Sequence, residues 1–534
     1  METGTTASVH PGTARPWFGW ALLLVALTLG AFGPGLAGGF VLDDKYAILG
    51  HPAVTGGVPA WEAFTRTFWG TGLDTVPPSY RPLSTLAFSL DRALFGLAPL
   101  PFHCTSLLWY VALVLLGFRV AQLWMDQRSA FFAAALFAVS PVHVENVASL
   151  VGRAETISWL ACLLALLALG PALTNGSRAG PLRLTAAVAS FAAALLAKES
   201  AAVLPLIVGV LVAAGAHPLP RRPWAHTHLP TLVLGATLAV YLVLRQRLIP
   251  QTFAYVAPDD VIAGAGTGTR LLYGLEILAH YARLLVAPVN LCTGRKYAMV
   301  ARPDGISAMA VVGLVLLGTA VGVSIKSLRR GRMPFMLCAL LAWALVSGLA
   351  FSMPEAMADR FLLAPCFFIA LALGPAARRW SDRDRWRRGL LAAAIVLQVV
   401  LSAFQSTRWR SEETLLAHSV VSCPSSVHNH ARYADLLAGQ GRTAEAVWHY
   451  AVASAGRSRF PGRWEHPAAD AELTLGAEER TRRMHQLLHI ERAEPEWRVE
   501  FASFLRAAGH PREASLVLAT PAAAPASSPD DPGR

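Results

Sequence analysis

Long apolar runs recur along most of this chain. Between Trp17 and about Gln405, stretches of about 17 to 23 residues without an ionisable side chain follow one another, and each is long enough as a helix to cross a hydrocarbon core of about 30 Å. Of the 534 residues, 54% are hydrophobic and 15% are charged, whereas soluble domains carry roughly a quarter of their residues as Asp, Glu, Lys or Arg. The sequence therefore predicts an all-α, polytopic membrane protein with a polar C-terminal tail.

We predict about eleven transmembrane helices. The first run, about 17–39, has no small-residue cleavage site and ends in glycines, which favours a retained anchor over a cleaved signal peptide. The other ten spans are expected near residues 104–125, 129–147, 156–173, 183–197, 201–216, 229–248, 306–326, 334–352, 360–376 and 389–405.

Basic residues accumulate in alternate connections between these spans, beginning with Arg128 and ending with the arginine-rich stretch 378–388. Lys and Arg mark cytosolic loops, so the N-terminus is expected inside and the tail after Thr407 outside. The formal net charge of +12 then reflects topology, and a nucleic-acid partner is not expected.

One segment does not fit simple alternation. Residues 270–288 are apolar but include Glu276, His280 and Arg283. With eleven spans elsewhere, an interfacial or re-entrant helix on the outer face would keep these groups hydrated or paired. A spanning helix here would invert the later topology.

The six cysteines show no close pair and no spacing typical of His and Cys zinc ligands. We therefore predict neither a disulfide framework nor a structural zinc site.

Two adjacent carboxylates, Asp43 and Asp44, follow the first span and begin the longest outer loop, about 40–103. At a membrane interface the two carboxylates lose hydration and repel each other, which raises the pKa of at least one of them. A carboxylate of this kind is suited to accept a proton. The alternative is an interfacial turn that ends the helix.

Arg81 lies between Tyr80 and Pro82 in the same loop. Proline keeps the preceding backbone extended, and a guanidinium held in a fixed direction suits a phosphate. A structural pairing with Asp91 or with a carbonyl is equally compatible with the sequence. His103, at the start of the second span, is expected to cap or pack rather than to bind a ligand.

Four ionisable residues, His143, Glu145, Arg153 and Glu155, lie within 13 residues at the junction of two spans. Ionisable groups at a membrane boundary are costly unless they are paired or functional. The junction therefore favours a site over a structural ion-pair network.

Two further charged pairs are expected on the same outer face. Lys198 and Glu199 form a turn between spans, and Asp359 and Arg360 open the tenth span. Cations here could hold a phosphate and stabilise charge on a leaving group, while a carboxylate takes the proton of an attacking hydroxyl. Because nucleotide sugars are scarce outside the cytosol, the donor is expected to be carried by a lipid.

The polar tail contains an internal similarity. The segment GRTAEA at 441–446 corresponds to GHPREA at 509–514, 68 residues later, which is two periods of the 34-residue tetratricopeptide repeat. We predict extracytosolic repeats over 406–518 that bind a polypeptide or only cap the membrane domain, followed by a disordered end over 519–534.

Together these motifs resemble one family. FVLDDKYAILGHPAV, YRPLSTLAFSLDRALFGLAPLPFHCTSLLWY, ALFAVSPVHVENVASLVGRAE, AKES, HYARLLVAPVNLCTGRKY and ADRFLLAPCFFIA are similar, in order, to segments of the transmembrane and tetratricopeptide-repeat O-mannosyltransferases. The similarity extends over about residues 17–455.

The resemblance implies a GT-C glycosyltransferase domain over 1–405. It implies transfer, with inversion, of mannose or another hexose from a polyprenyl-phosphate donor to hydroxyl groups of an extracytosolic protein, which the repeats could hold. The enzyme would lie in the cytoplasmic membrane, or in the endoplasmic reticulum membrane of a eukaryote. Asp43 or Asp44 would be catalytic, with Asp44 favoured as the less exposed. The donor would contact Arg81, His143, Glu145, Arg153, Glu155, Lys198, Glu199 and Arg360.

Three departures from the family pattern leave the sugar and the acceptor open. The repeat array is short compared with the long arrays of animal members, and two motifs differ. Ser140-Pro141 replaces His-Pro, and Asp359-Arg360 replaces Glu-Arg. The alternatives are a transferase that acts on a lipid or polysaccharide, a transporter or flippase, and a non-catalytic scaffold that displays repeats. The paired carboxylates could bind a divalent metal, but the sequence does not define a ligand set.

Overall fold

The structure is a computed structural model. It describes residues 14–75, 79–175, 179–215, 224–250, 265–289, 291–294, 305–349, 355–424 and 426–442, with a few isolated positions from 445 to 518. The α-helices of this part of the chain are α1 (Ala14–Phe32), α2 (Pro52–Thr55), α3 (Pro82–Phe95), α4 (Pro99–Ala121), α5 (Gln127–Ala138), α6 (Val144–Val147), α7 (Arg153–Ala168), α8 (Gly170–Asn175), α9 (Pro181–Ala197), α10 (Leu204–Gly215), α11 (Trp224–Leu248), α12 (Thr267–Val286), α13 (Ala308–Arg329), α14 (Phe335–Leu345), α15 (Leu363–Ser381), α16 (Arg385–Ser406), α17 (Glu412–Ser422) and α18 (Val427–Gly439).

The prediction of an all-α, polytopic membrane protein is confirmed. Within the described residues, seven helices are long and apolar enough to cross a membrane, or eight if the bent pair Gln127–Ala138 and Pro141–Val147 forms one span. Three shorter apolar helices, Pro181–Ala197, Glu199–Gly215 and Phe335–Leu345, occupy other expected positions. Every expected span thus coincides with a helix, while the count of eleven stays a prediction.

The third expected span is broken by a bend of 55°. Ser140 adopts an extended conformation (φ −66°, ψ 123°) ahead of Pro141, because proline disfavours the helical region for the residue before it. The bend directs α6, which carries Glu145, away from the axis of α5.

Helices α5 and α15 cross closely, because Gly374 of α15 approaches the carbonyl oxygen of Ser129 and small residues permit such contacts between membrane helices. About one turn from this contact, at the start of α5, Arg378 forms an ion pair with Asp126 at 2.5 Å. Two connections that the sequence assigns to the cytosol therefore lie together, at the opposite end of α5 from Glu145.

Helix α12 covers most of the segment that did not fit alternation. Its buried Glu276 accepts a hydrogen bond from Ser307, the N-cap residue of α13. Gly313 of α13 packs directly against the backbone of Leu275. The acidic group of α12 is thus paired inside the protein, and whether the helix spans or lies at the interface stays a prediction.

The described part of the tail is a helical hairpin formed by α17 and α18. Its apolar contacts include Leu416, Val420, Tyr433 and Leu437. The expected repeat motif at 509–514, the residues between the repeats and the end of the chain over 519–534 lie outside the described residues.

A disulfide joins Cys292 to Cys423, with their Cα atoms 6.3 Å apart. It corrects the expectation that the cysteines would not pair. The partners are 131 residues apart in sequence, so no local spacing could have indicated the bond. It connects the chain beyond α12 to the segment that follows α17.

Candidate active site

The two adjacent carboxylates of the first loop occupy different environments. Asp44 is completely buried and accepts hydrogen bonds from the backbone N–H groups of Val151 (2.9 Å) and Val41 (3.3 Å). Burial raises its pKa from 3.8 to about 7, although these hydrogen bonds oppose the shift. The side chain of Asp43 is 41% exposed and is the member of the pair that an acceptor could reach.

The backbone that presents this pair is strained. Leu42 has a φ of +48°, a left-handed conformation that costs a residue with a side chain roughly 1–2 kcal/mol. Strain of this size persists where surrounding contacts impose it, and such positions cluster at functional sites. Here the contacts of Asp44 with Val41 and Val151 hold the turn on both sides.

Arg81 forms a two-pronged ion pair with Glu199, from Nε at 3.2 Å and from Nη2 at 2.8 Å. Its guanidinium also lies over the ring of Phe68, 5.0 Å from the centroid. Pro82 begins α3 and leaves Arg81 outside the helix (φ −140°, ψ 57°). Asp91, the alternative partner that the sequence suggested for Arg81, forms an ion pair with Arg153 instead.

Lys198 forms an ion pair with Glu155 at 2.5 Å. Glu155 also accepts hydrogen bonds from Trp159 (3.1 Å) and Ser200 (2.7 Å). The extended backbone of Lys198 ends α9, so the expected turn between two spans is present and points this cation into the protein.

Arg360 connects the late motif to the junction after α5. Its guanidinium binds Glu145 and Glu355, the latter at 2.6 Å. Its backbone N–H donates to the second oxygen of Glu145 at 2.9 Å, and its carbonyl accepts from Asn146 at 3.2 Å. Glu145 is therefore satisfied by one residue from a stretch more than 200 positions away.

Phe361 links these pairs into one arrangement. Lys198 and Arg360 both lie over its ring, 5.9 and 5.2 Å from the centroid. Arg360 also interacts electrostatically with Asp43. Lys198 in turn interacts electrostatically with Arg81 and Glu199, so a cluster of acids and bases extends from Arg81 to Asp43, and we call it the polar cluster. It consists of Asp43, Arg81, Glu145, Glu155, Lys198, Glu199, Glu355 and Arg360.

The structure places His143 and Arg153 outside the polar cluster. His143 is fully buried and shares a hydrogen bond of 2.7 Å with the hydroxyl of Tyr110. Arg153 is also fully buried, forms an ion pair with Asp91, and lies 4.8 Å from the ring centroid of Phe88. Both fix the shape of the first loop and the junction, and neither faces the other cations. His103 contacts the Gly39 carbonyl at 3.2 Å, which is a packing role.

Glu355 within the polar cluster and three residues near it were not singled out from the sequence. Arg245, in the last turn of α11, donates to Tyr241 at 2.9 Å and interacts electrostatically with Glu199. The sequence did contain a signal for Arg245, since it is a basic residue at the end of an apolar helix. Arg432 of α18 lies 3.9 Å from Asp43, and nothing in the tail sequence indicated that contact.

No group of three or more His, Cys, Asp or Glu side chains is arranged to hold a metal ion among the residues that the structure describes. The chemistry available in the polar cluster is proton acceptance and binding of an anion. In this structure each cation of the polar cluster is paired with a carboxylate. The side chain of Glu199, which pairs with Arg81, is 41% exposed. An incoming phosphate could displace such an exposed carboxylate from Arg81.

The fold and the site define a multi-span α-helical membrane protein in which distant loops join charged side chains at one end of the helices. Residues 78–256 match the family described as dolichyl-phosphate-mannose-protein mannosyltransferase. Protein O-mannosyl-transferase TMTC1 of Homo sapiens is 27% identical over 500 residues, covering 84% of this chain and 56% of that protein. Protein O-mannosyl-transferase Tmtc1 of Drosophila melanogaster is 40% identical over 178 residues, covering 33% of this chain and 20% of that protein.

Two solved structures resemble the fold weakly. ArnT from Cupriavidus metallidurans bound to undecaprenyl phosphate gives a TM-score of 0.42 with 16% identity, covering 82% of this chain and 76% of that chain. The archaeal oligosaccharyltransferase AglB from Archaeoglobus fulgidus, in complex with an inhibitory peptide and a dolichol-phosphate, gives 0.43 with 13% identity, covering 74% and 56%.

The resemblance to the transmembrane and tetratricopeptide-repeat O-mannosyltransferases that the motifs indicated is confirmed by the family match and the curated relatives. The chain spans a little over half the length of the human protein that it matches.

Proposed function

We propose that this chain is a membrane glycosyltransferase that moves mannose or another hexose from a polyprenyl-phosphate donor to hydroxyl groups of a protein on the outer face. The observation that carries the proposal is the position of Asp43, an accessible carboxylate beside Arg360 at the end of a cluster of cations from separate loops. The family match and the names of the curated relatives support mannose and a protein acceptor.

In the proposed reaction, an acceptor hydroxyl attacks the anomeric carbon of the sugar while Asp43 takes the hydroxyl proton. The bond between that carbon and the phosphate oxygen breaks, and polyprenyl phosphate leaves with the bonding electrons. Arg81, Lys198 and Arg360 would bind the phosphate and stabilise its growing charge. Attack opposite the leaving group inverts the anomeric configuration, as the family resemblance implies.

The environments of the two carboxylates support a division of roles. A carboxylate that takes the proton must reach the acceptor hydroxyl, and the partly exposed Asp43 meets that need better than the completely buried Asp44. Asp44 holds the turn through Val41 and Val151 and would position its neighbour. This assignment reverses the preference for Asp44 that the sequence suggested.

The first prediction tests the base. Since a positioned general base contributes roughly 10²- to 10⁴-fold to a rate, we expect D43N to lower kcat by at least about 100-fold without loss of expression. The measurement is transfer of radiolabelled mannose from dolichyl-phosphate mannose to a Ser/Thr-rich peptide by purified full-length protein in lipid nanodiscs.

The matched control for this experiment is D74N, which neutralises an exposed carboxylate of the same loop. D74N is expected to behave like the wild-type protein. Equal transfer by wild type and D43N would overturn the proposed base, full activity of both D43N and D44N would place the active site elsewhere, and no transfer by the wild type would favour a scaffold. Label found only in lipid or glycan would redirect the proposal to those acceptors.

A further inference from the structure

The start of the tail and its helical hairpin contact residues 39–45, which carry Asp43 and which we call the catalytic turn. The backbone N–H of Gly39 donates to the carbonyl of Arg410 at 3.1 Å, and Lys45 forms an ion pair with Glu412 at the start of α17. Between them, the strained Leu42 packs both against the core of the membrane domain and against the apolar cluster of the hairpin. The tail thus contacts residues 39–45 at both ends and in the middle.

The same hairpin is fixed from its other side. The Cys292–Cys423 disulfide ties the end of α17 to the chain after α12. Beside it, the side-chain amide of Asn429 donates to the carbonyl of Thr293 at 2.7 Å, and the Ser426 hydroxyl donates to the carbonyl of Gly294 at 3.2 Å. With a covalent bond on one side and the turn on the other, α18 has a defined position over Asp43.

The residue that α18 presents there is Arg432. Its Nη1 lies 3.9 Å from Oδ1 of Asp43. The carboxylate also interacts electrostatically with Arg360, which is itself held by Glu145 and Glu355. Asp43 therefore interacts with one cation of the membrane domain and with one cation of the tail.

We propose that the α17–α18 hairpin is part of the active site, and that Arg432 is a positioning residue that holds the Asp43 carboxylate away from Arg360 and toward the acceptor. This inference rests on the proposed function, because it assumes that Asp43 takes the proton. It assigns the first helices of the tail a role in the chemical step, separate from any binding of the acceptor by the later repeats.

The inference predicts that loss of Arg432 lowers kcat but leaves KM for the donor nearly unchanged. Without Arg432, the carboxylate turns toward Arg360, and a displacement of about 1 Å at a reacting group costs up to about 100-fold in rate. Because Asp43 is partly exposed, solvent screens its attraction to Arg432, and we expect a smaller effect of about 10-fold. Arg432 is not expected to contact the sugar lipid, so KM for the donor should stay within about twofold.

The experiment compares R432Q, R432K and R442Q in the full-length protein. Arg442 serves as the matched control because it pairs with Glu413 and Glu445 within the tail and does not contact the turn. With dolichyl-phosphate mannose and a Ser/Thr-rich peptide, R432Q is expected to lower kcat about 10-fold at unchanged KM. R432K should recover at least a third of the wild-type kcat, and R442Q should match the wild type.

Several results would overturn the inference. These are a wild-type kcat in R432Q, an equal loss in R442Q, and a rise in acceptor KM as the only effect of R432Q. Thermal midpoints establish whether each variant folds. If R432Q does not fold, R432K decides, since a kcat below a tenth of wild type in a folded R432K contradicts the role. An inactive D43N with a normal R432Q would refute only this inference, whereas equal transfer by D43N and the wild type would refute the proposed base on which it rests.

Discussion

At the residue scale, the burial of Asp44 makes stability depend on pH. Its pKa is 3.8 without the protein environment and about 7 in the folded protein, so the folded state binds a proton that the unfolded state has already lost. The contribution of Asp44 to stability is therefore fully present below about pH 4, falls as the pH rises to about 7 and is constant above that. The full difference corresponds to roughly 4 kcal/mol, since each pKa unit is worth about 1.4 kcal/mol.

D44N removes this titration while it keeps a side-chain oxygen for the N–H of Val151. We therefore expect the thermal midpoint of D44N minus that of the wild type to increase steadily between pH 4 and pH 7. The measurement is thermal unfolding in detergent across this range, and subtraction at each pH cancels the titration of all other groups. D74N, with its exposed carboxylate, should show no such trend. A difference that is independent of pH would mean that Asp44 is ionised throughout.

Individual residues also show which contacts a sequence can reveal. Asp43, Arg81, Glu199 and Arg360 could be singled out because a charge beside an apolar run is conspicuous by itself. The pairing of Arg81 with Glu199 instead of Asp91 depends on how α3 and α9 pack, and no single stretch of sequence encodes that. Arg432 belongs to a polar helix in which a basic residue is ordinary, so its contact with Asp43 emerges only from the fold.

At the element scale, one glycine sets the distance between two parts of the site. A Cβ atom at Gly152 would lie 2.2 Å from the carbonyl oxygen of Glu145 and 2.9 Å from the Cα atom of Asn146. The backbone of α6 would have to move away from the start of α7. That movement would shift Glu145, which holds Arg360, relative to the N–H of Val151, which holds Asp44.

We expect G152A to lower stability by on the order of 2 kcal/mol, as overpacking typically does, and to lower kcat by a larger factor than it changes either KM. Thermal midpoints and steady-state kinetics measure the two effects. G318A is the control, since a Cβ there would meet nothing within 4 Å, and it should leave both quantities close to wild type. Wild-type kinetics in a stably folded G152A would show that the spacing of α6 and α7 does not matter for the reaction.

The helices themselves were largely predictable, because an apolar run of sufficient length has few alternatives in a membrane. The break of the third span was not predicted, although Pro141 was visible, since proline can also be accommodated in a membrane helix. The disulfide could not be predicted, because the pairing of Cys292 with Cys423 depends on the docking of the hairpin onto the membrane domain.

At the scale of the whole molecule, charged side chains gather at the two opposite ends of the helices. The polar cluster, the tail hairpin and the disulfide lie together at one end, whereas Arg378 and Asp126 pair at the other. The arginine-rich connections belong to the second end, which predicts that it faces the cytosol. A disulfide at the first end agrees with an oxidising compartment. The two arguments are independent and predict the same orientation.

Two exposed aromatic positions allow a direct test. Tyr46 follows the catalytic turn and Trp386 begins α16, and they are 61% and 60% exposed, so a cysteine at either should react equally well once the membrane is open. In sealed right-side-out vesicles, with Cys104 replaced by serine, we expect a membrane-impermeant maleimide to label Y46C and not W386C. Detergent should make the two equal. Labelling of W386C alone would show that the orientation is inverted. Asp43 would then lie on the cytosolic side, where a lipid-linked donor in the outer leaflet could not reach it.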